Sequence, residues 1–473
     1  MNRKILNSFV WKLLERGGAQ AVQVSMQLIL ARLLGPEILG RMAIILVFTN
    51  IFLVFIEGGF NTALIQKKKV DALDYSTVLV FSVLVSIFFY LLLYVLAPII
   101  GNFYNDNELS TIIRILGVVL FPLGYNSIQI AYISRNQNFK PLFLSSSMSL
   151  FISGGVAVVL ALNGFGIWVL VIQQIISSYL NPILLNRIIK FKVNLKFSLN
   201  RLRSMFKFGI GILAGNLIYS LYLDLRKLLI GKVYSTEDLG FYQRGELIPK
   251  SVVTNFDKVL QSIIFPTLSS LQDEHSKMKH IIKKTMEVSA FIIYPIGIGL
   301  FIVSEPLIIV ILTDEWLEAV PYLRVFAITY SLWPLLSLNL QSIKALGKSD
   351  LIVKMEFTKR VVGLLLIIIT LPYGPYYIAL GTLIERIIEL FINAYPNRKL
   401  INFTLSEQFM VTLPSLTSAI VMLIIVYPIN FLTISMYYKL ILEISLGIIV
   451  YLLASTQINK NLLKYFIKVL KQK

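Results

Sequence analysis

Residues 76–100 read STVLVFSVLVSIFFYLLLYVLAPII, a run without one charged side chain. It exceeds the roughly 20 residues that an α-helix needs to cross a hydrocarbon core. Lys67-Lys68-Lys69 stands before it, and Asn105-Asp106-Asn107-Glu108 follows it. A basic flank on one side and an acidic one on the other mark a spanning helix that starts in the cytoplasm.

Outward from this stretch the same unit recurs. Spans are expected at 13–34, 41–65, 76–100, 111–134, 142–162, 166–186, 206–231, 244–271, 285–304, 321–344, 352–371, 375–395, 410–428 and 433–455. Loop charge tests this division independently. Segments 1–16, 65–75, 135–141, 187–207, 272–284, 344–360, 396–409 and 456–473 hold 32 of the 44 lysines and arginines. Every second loop is basic, and the others are neutral or acidic, as in Asp314-Glu315-Trp316-Leu317-Glu318. The basic loops and both termini are therefore expected in the cytoplasm. The fold class that follows is an all-α, multi-pass integral membrane protein of about fourteen transmembrane helices.

Composition agrees. Hydrophobic residues make up 56% of the 473, and charged residues 15%, against roughly 25% in soluble proteins. The mean hydropathy is +0.76. A net charge of +19 would suit nucleic acid only with the cations gathered on one face of a soluble fold. They lie between apolar stretches, so no nucleic-acid partner is expected. The lack of cysteine excludes disulfides, thiol catalysis and Cys-ligated zinc. His275 and His280 are five apart and share no helix face, so no metal site is expected. The first apolar run, which reaches Leu34, is too long and too rich in glutamine for a cleavable signal peptide.

A repeat lies within the chain. The longest internal basic loop, Arg187 to Lys207, separates the first twelve spans into six and six. This gives an expected N-terminal lobe (1–186), a basic cytoplasmic linker (187–206) and a C-terminal lobe (207–396). Spans 13 and 14 follow with a basic tail (397–473). Pro36-Glu-Ile-Leu-Gly40 matches Thr236-Glu-Asp-Leu-Gly240 at an offset of 200. The same offset aligns Asn50, Glu57 and Asn61 with Lys250, Asp257 and Gln261. Six spans per repeat is an even number, so the halves are related by an axis along the membrane normal, with a midplane site between them.

Polar residues inside the spans form stripes. Span 8 carries Gln243, Glu246, Lys250, Thr254, Asp257 and Gln261, three or four apart, on one helix face. Span 1 repeats this with Arg16, Gln20, Gln23 and Gln27. Span 7 has Asn216, Ser220, Asp224 and Lys227, and span 2 has Asn50, Glu57 and Asn61. Charges facing lipid are costly, so the stripes are expected to line a water-filled cavity. The competing reading is local pairing, Asp224 with Lys227 and Glu246 with Lys250. Arg32, Arg244 and Lys258 are further cations near the stripes. Glu385, Arg386, Glu389 and Asn393 in span 12 suit an interface as well as a cavity, and Gly211 with Gly215 suggests close helix packing.

Several segments resemble the polysaccharide-exporter branch of the multidrug/oligosaccharidyl-lipid/polysaccharide (MOP) flippase superfamily, of the O-antigen, colanic-acid and teichuronic-acid type. They are Ala31-Arg-Leu-Leu-Gly-Pro-Glu-Ile-Leu-Gly-Arg-Met-Ala43, Glu57-Gly-Gly-Phe-Asn-Thr-Ala-Leu-Ile-Gln66, Leu229-Ile-Gly-Lys232, Leu239-Gly-Phe-Tyr-Gln-Arg244, Ile264-Phe-Pro-Thr-Leu-Ser-Ser-Leu-Gln272 and Lys344-Ala-Leu-Gly-Lys348. They run in family order over most of residues 10–400. The family often has Asp where Glu57 stands, and Ala where Gly245 follows Arg244.

The resemblance implies two six-helix lobes, V-shaped around a central cavity lined by spans 1, 2, 7 and 8. It implies outward flipping of a polyprenyl-diphosphate-linked oligosaccharide by alternating access, without enzymatic chemistry. The alternatives are a cation-coupled small-molecule exporter of the same superfamily and a membrane glycosyltransferase or ligase. Expected partners are the lipid-linked oligosaccharide, membrane lipid, a glycan polymerase and glycosyltransferases. No cofactor is expected beyond an ion gradient or membrane potential. The expected location is the cell membrane of a prokaryote. A diphosphate needs cations, which ranks Arg16 and Lys250 first among Arg16, Arg32, Lys227, Arg244, Lys250 and Lys258.

Overall fold

The computed structural model describes residues 18–57, 59–67, 69–136, 138–191, 195–460 and 462. Helices and short 3-10 turns make up every regular element among them. Contacts divide the chain into two compact units, Met1–Gly240 and Phe241–Lys473.

The first unit opens with α1 (Ala19–Glu57), which bends at Gly35. Gly35 has φ 75 and ψ 171, a conformation L side chains disfavour. Two expected spans therefore join through a kink. The second ends at Glu57, and α2 (Phe60–Gln66) follows with Gly59 as its N-cap. The opening uncharged stretch lies within α3 (Ala72–Tyr104). Asp71 accepts the N–H of Asp74 and Asp74 accepts the N–H of Asp71, a capping box that starts this helix. The fourth crossing is α4 (Asn107–Leu116) and α5 (Leu120–Asn136), joined by a 3-10 turn. Then come α6 (Lys140–Leu162), α7 (Trp168–Ile189) and α8 (Leu199–Val233).

Although α8 is the first helix of the second repeat by sequence, it packs along α1, α2 and α3. Leu202 and Met205 of α8 share a core with Phe60, Leu64, Val78 and Ile128. Polar contacts reinforce this. Arg201 reaches Asp71 at 3.0 Å and Asp74 at 3.3 Å, and Lys67 also pairs with the fully buried Asp74. The contact division consequently falls at Gly240, not at the basic linker, and the α8 end of that linker is fastened.

The second unit takes in most of α9 (Thr236–Ser269), then α10 (His275–Ile302) and α11 (Ser304–Ile311). One expected span is split into α12 (Val320–Ser331) and α13 (Trp333–Ala345), because Pro334 in the first turn of α13 has no N–H to continue α12. The unit ends with α14 (Ser349–Thr370), α15 (Pro375–Leu400), α16 (Leu405–Val426) and α17 (Met436–Ile458). Met278, Ile282 and Met286 of α10 pack with Leu335, Leu338 and Phe403. An amide network ties three helices: Asn339 donates to Gln408 at 2.6 Å, Asn397 donates to Asn339 at 2.6 Å, and Ser342 donates to Asn397 at 2.7 Å. All four residues are buried, so each bond satisfies a group with no access to water.

Nine helical stretches among the described residues are long and apolar enough to cross a membrane. One of them, Gln20–Gln66, spans 47 residues and bends at Gly35, so it supplies two of the expected crossings. The four other expected crossings are α8, α9, α14 and α15. At 35, 34, 22 and 26 residues they are long enough, and they differ from the nine in carrying more polar and charged residues.

The repeat is visible in backbone contacts. A methyl group on Gly40 would lie 1.6 Å from the carbonyl oxygen of Thr236. One on Gly240 would lie 2.2 Å from the carbonyl oxygen of Pro36. The two contacts exchange under the offset of 200, as contacts across a two-fold relation must. Beside this turn Arg41 donates to Asp106 at 2.8 Å and to Glu108 at 2.9 Å.

Candidate functional site

The helices that fall short on apolarity are the places to look, because polar groups inside a membrane need a use or a partner. In the first unit, α8 presents Asn216 and Ser220 one turn apart, opposite the junction of α1 and α2. There Glu57 ends α1 and Asn61 sits in the first turn of α2. Together with Thr62 and Ser127 of α5, these residues line a cavity of about 360 Å³. The apolar part of its wall includes Val54, Ile65, Ile130 and Tyr219.

Hydrogen bonding in this cavity is unevenly spent. Ser127 donates to the carbonyl of Gly124 at 2.7 Å. Ser220 donates at 3.5 Å to Asp224, whose other oxygen accepts from Lys227 at 2.6 Å. The amide oxygen of Asn61 has no hydrogen-bond partner. Glu57 makes no hydrogen bond or ion pair among the described residues, and its side chain is exposed. Acceptor capacity therefore stands unused here, and among the described residues no lysine or arginine lines the cavity.

The matching positions in the second unit are spent internally. Asp257 is 5% exposed, and its carboxylate accepts from Ser337 of α13 and from Gln261. Gln261 also donates to Ser337 at 3.3 Å. Two turns earlier on α9, Lys250 donates to Glu246 at 3.1 Å, and the Tyr330 hydroxyl donates to the same oxygen at 2.6 Å. The Lys250 side chain is 47% exposed. Behind Tyr330 the ring of Trp333 stacks at 5.8 Å, and the Arg386 guanidinium lies 5.3 Å from the Trp333 centroid while pairing with Glu389.

The sequence-derived candidates separate accordingly. Glu57 and Asn61 meet the α8 stripe in one cavity. Asp224–Lys227 and Glu246–Lys250 form the local pairs that the competing reading named. Of the first stripe, Gln20 and Gln27 are half-buried and Gln23 is exposed on α1, and none lines the cavity. Arg16 lies outside the described residues. Arg32, Asn50 and Lys258 are exposed, and Arg244 is half-buried. Glu385, Glu389 and Asn393 are buried, so an interfacial role does not fit them. A methyl group added on Gly215 would meet no atom of another helix within 4 Å among the described residues, so close packing does not require this glycine.

Sequence reasoning missed Ser127, Tyr330 and Ser337. Each reaches its site from a helix remote in sequence, and a serine or tyrosine in an apolar run carries no pattern of its own. The α8 residues Asn216 and Ser220 were visible as a stripe.

Comparison with known proteins adds a separate line. The family described as "Polysaccharide biosynthesis protein" matches residues 29–321. The teichuronic acid biosynthesis protein TuaB of Bacillus subtilis (strain 168) is 27% identical over 303 residues, 63% of this chain and 62% of that protein. The chain thus spans less than two thirds of that relative's length. The succinoglycan biosynthesis transport protein ExoT of Rhizobium meliloti (strain 1021) is 25% identical over 344 residues, 72% of this chain and 68% of that one. Among solved structures, the lipid II flippase MurJ in an inward closed conformation superposes with a TM-score of 0.80 at 17% identity, over 96% of this chain and 99% of that chain. That likeness establishes the fold.

Proposed function

The chain belongs to the polysaccharide biosynthesis protein family, and on that premise we propose that it is a transporter, not an enzyme. It flips a polyprenyl-diphosphate-linked oligosaccharide from the cytoplasmic to the outer leaflet of the cell membrane by alternating access. The observation that carries this reading is the polar faces of α8 and α9, which a chain that only anchored itself in lipid would not maintain.

The diphosphate is the demanding part of such a substrate. An unpaired anion in a low-dielectric site carries a large desolvation cost, so cations must meet it. Lys250 suits this role because its side chain is 47% exposed and its ion pair among the described residues is a single one, with Glu246 at 3.1 Å. When Lys250 leaves for phosphate, Tyr330 still donates to Glu246, which lowers the cost of the exchange. A pure ion pair would tolerate Glu246→Gln together with Lys250→Gln, whereas a phosphate ligand would not. Normal glycan export by that double variant, at normal membrane abundance, removes Lys250 from the phosphate site.

The function itself is tested by depletion in a host that uses the chain. Polyprenyl-linked saccharide should accumulate in the cytoplasmic leaflet. Lipid pools without linked sugar would contradict the proposal. Topology is tested by single cysteines, since the native chain has none. Cysteines at Asn107 and Glu315 should react with an impermeant reagent from outside, and one at Lys196 should not. The reverse pattern inverts the orientation.

A further inference from the structure

Among the described residues, the cavity of the first unit is lined by a carboxyl group and no lysine or arginine, which does not suit a diphosphate. We propose that it is a glycan-reading subsite, which takes one sugar ring of the substrate by its hydroxyl groups. The inference rests on the flippase reading and adds where the saccharide is recognised.

Three observations carry it. The first is the sign of the unspent capacity. The Asn61 amide oxygen is a buried acceptor with no donor, which is costly, and the Glu57 carboxyl beside it makes no hydrogen bond or ion pair among the described residues. Sugar hydroxyls are donors in quantity, and a carboxylate strengthens each such bond. The second is shape and surface. About 360 Å³ lies at the small end of the ~300–1,000 Å³ typical of organic-ligand sites and is far more than a bare cation fills. The polar edge of Glu57, Asn61, Asn216 and Ser220 is backed by Val54 and Ile130. A pyranose has the same division, with hydroxyls at the rim and C–H groups on the faces. The third is the contrast within the molecule. The repeat-related Asp257 and Gln261 are closed on Ser337, so only the first repeat leaves these positions open to a ligand.

The test uses the full chain in lipid nanodiscs and two kinds of short-chain ligand. One is geranyl diphosphate; the other is geranyl diphosphate linked to glucose, galactose or N-acetylglucosamine. At least one sugar-bearing ligand should bind about tenfold tighter than bare diphosphate, the scale of a hydrogen bond net of water. Glu57→Gln and Asn61→Leu should each bring that ratio close to one. Asn216→Leu, at an exposed position on α8, supplies the same reading if either of the others does not fold. A ratio unchanged in all folded variants overturns the subsite. So does a wild-type protein that binds bare diphosphate as well as every sugar-bearing form, an outcome that leaves the flippase reading standing. Failure to bind any of the ligands overturns both. A sodium-dependent stabilisation lost in Glu57→Gln, with the ratio intact, assigns the cavity to a cation and overturns the proposal.

Discussion

Asp257 and Glu57 stand 200 residues apart at equivalent places in the two repeats, and the protein uses them in opposite ways. Asp257 is buried and bonded to Ser337 and Gln261. Glu57 faces a cavity, and its neighbour Asn61 has an amide oxygen with nothing to accept. By contrast, the turns at Gly40 and Gly240 have stayed alike, each pressed against the carbonyl of the other's repeat. The difference teaches that the backbone frame of the repeat is held in common while the polar chemistry on it has divided. One copy is committed to holding helices together and the other is left open to a ligand.

The largest expected effect tests the common frame. Gly40→Val and Gly240→Val would each drive a side chain into backbone, which cannot yield as a flexible side chain would. Both should remove the protein from the membrane or abolish export, and to a similar degree. A severe loss in one with normal export in the other would break the two-fold reading.

Next comes the division of chemistry. Asp257→Ala strands the donors of Ser337 and Gln261 and should cost about 1–3 kcal/mol of stability. Glu57→Ala breaks no hydrogen bond or ion pair among the described residues and should stay within about 0.5 kcal/mol. Thermal unfolding in detergent compares the two. Equal losses would mean that Glu57 is also structural.

The smallest effect separates the starts of α3 and α16, one in each unit. Asp71 starts α3, and the backbone N–H of Asp74 holds its carboxyl below the usual range, with Arg201 and Lys67 adding to this. Glu407 starts α16, and the hydrogen bond from Lys279 is the main cause that lowers it. Both folded values lie below the unfolded ones of about 3.9 and 4.3. Their stabilisation is therefore complete above those values and is lost as pH falls through the lower folded ones. Both groups are exposed, so the effect is small. Between about pH 5 and pH 3 the wild type should lose thermal stability, and Lys279→Gln should lessen the part due to Glu407 while leaving the Asp71 part.

The sequence made the frame readable, because apolar runs and alternating loop charge are collective signals. Even α8 and α9, with their polar faces, are legible through their basic flanks and the offset of 200. The sites were legible only in part. Glu57 and Asp257 look alike in sequence, since what distinguishes them is Ser337, 80 residues further along the chain from Asp257. Tyr330 on Glu246 was hidden for the same reason: an aromatic residue in an apolar helix announces packing, and only the fold brings its hydroxyl to a carboxylate. The membership of α8 in the first unit depended on Arg201 meeting Asp71 and Asp74, a contact across more than 120 residues.

The central claim is that this chain moves a lipid-linked saccharide between leaflets, and reconstitution tests it most directly. Sealed vesicles containing a fluorescent polyprenyl-diphosphate saccharide are treated with a membrane-impermeant reductant. Vesicles without protein should lose only the outer half of the signal. Vesicles with the chain should lose nearly all of it, and those with Glu246→Gln and Lys250→Gln combined should behave as if empty. Loss of only the outer half with correctly folded, correctly inserted wild-type protein would contradict the account.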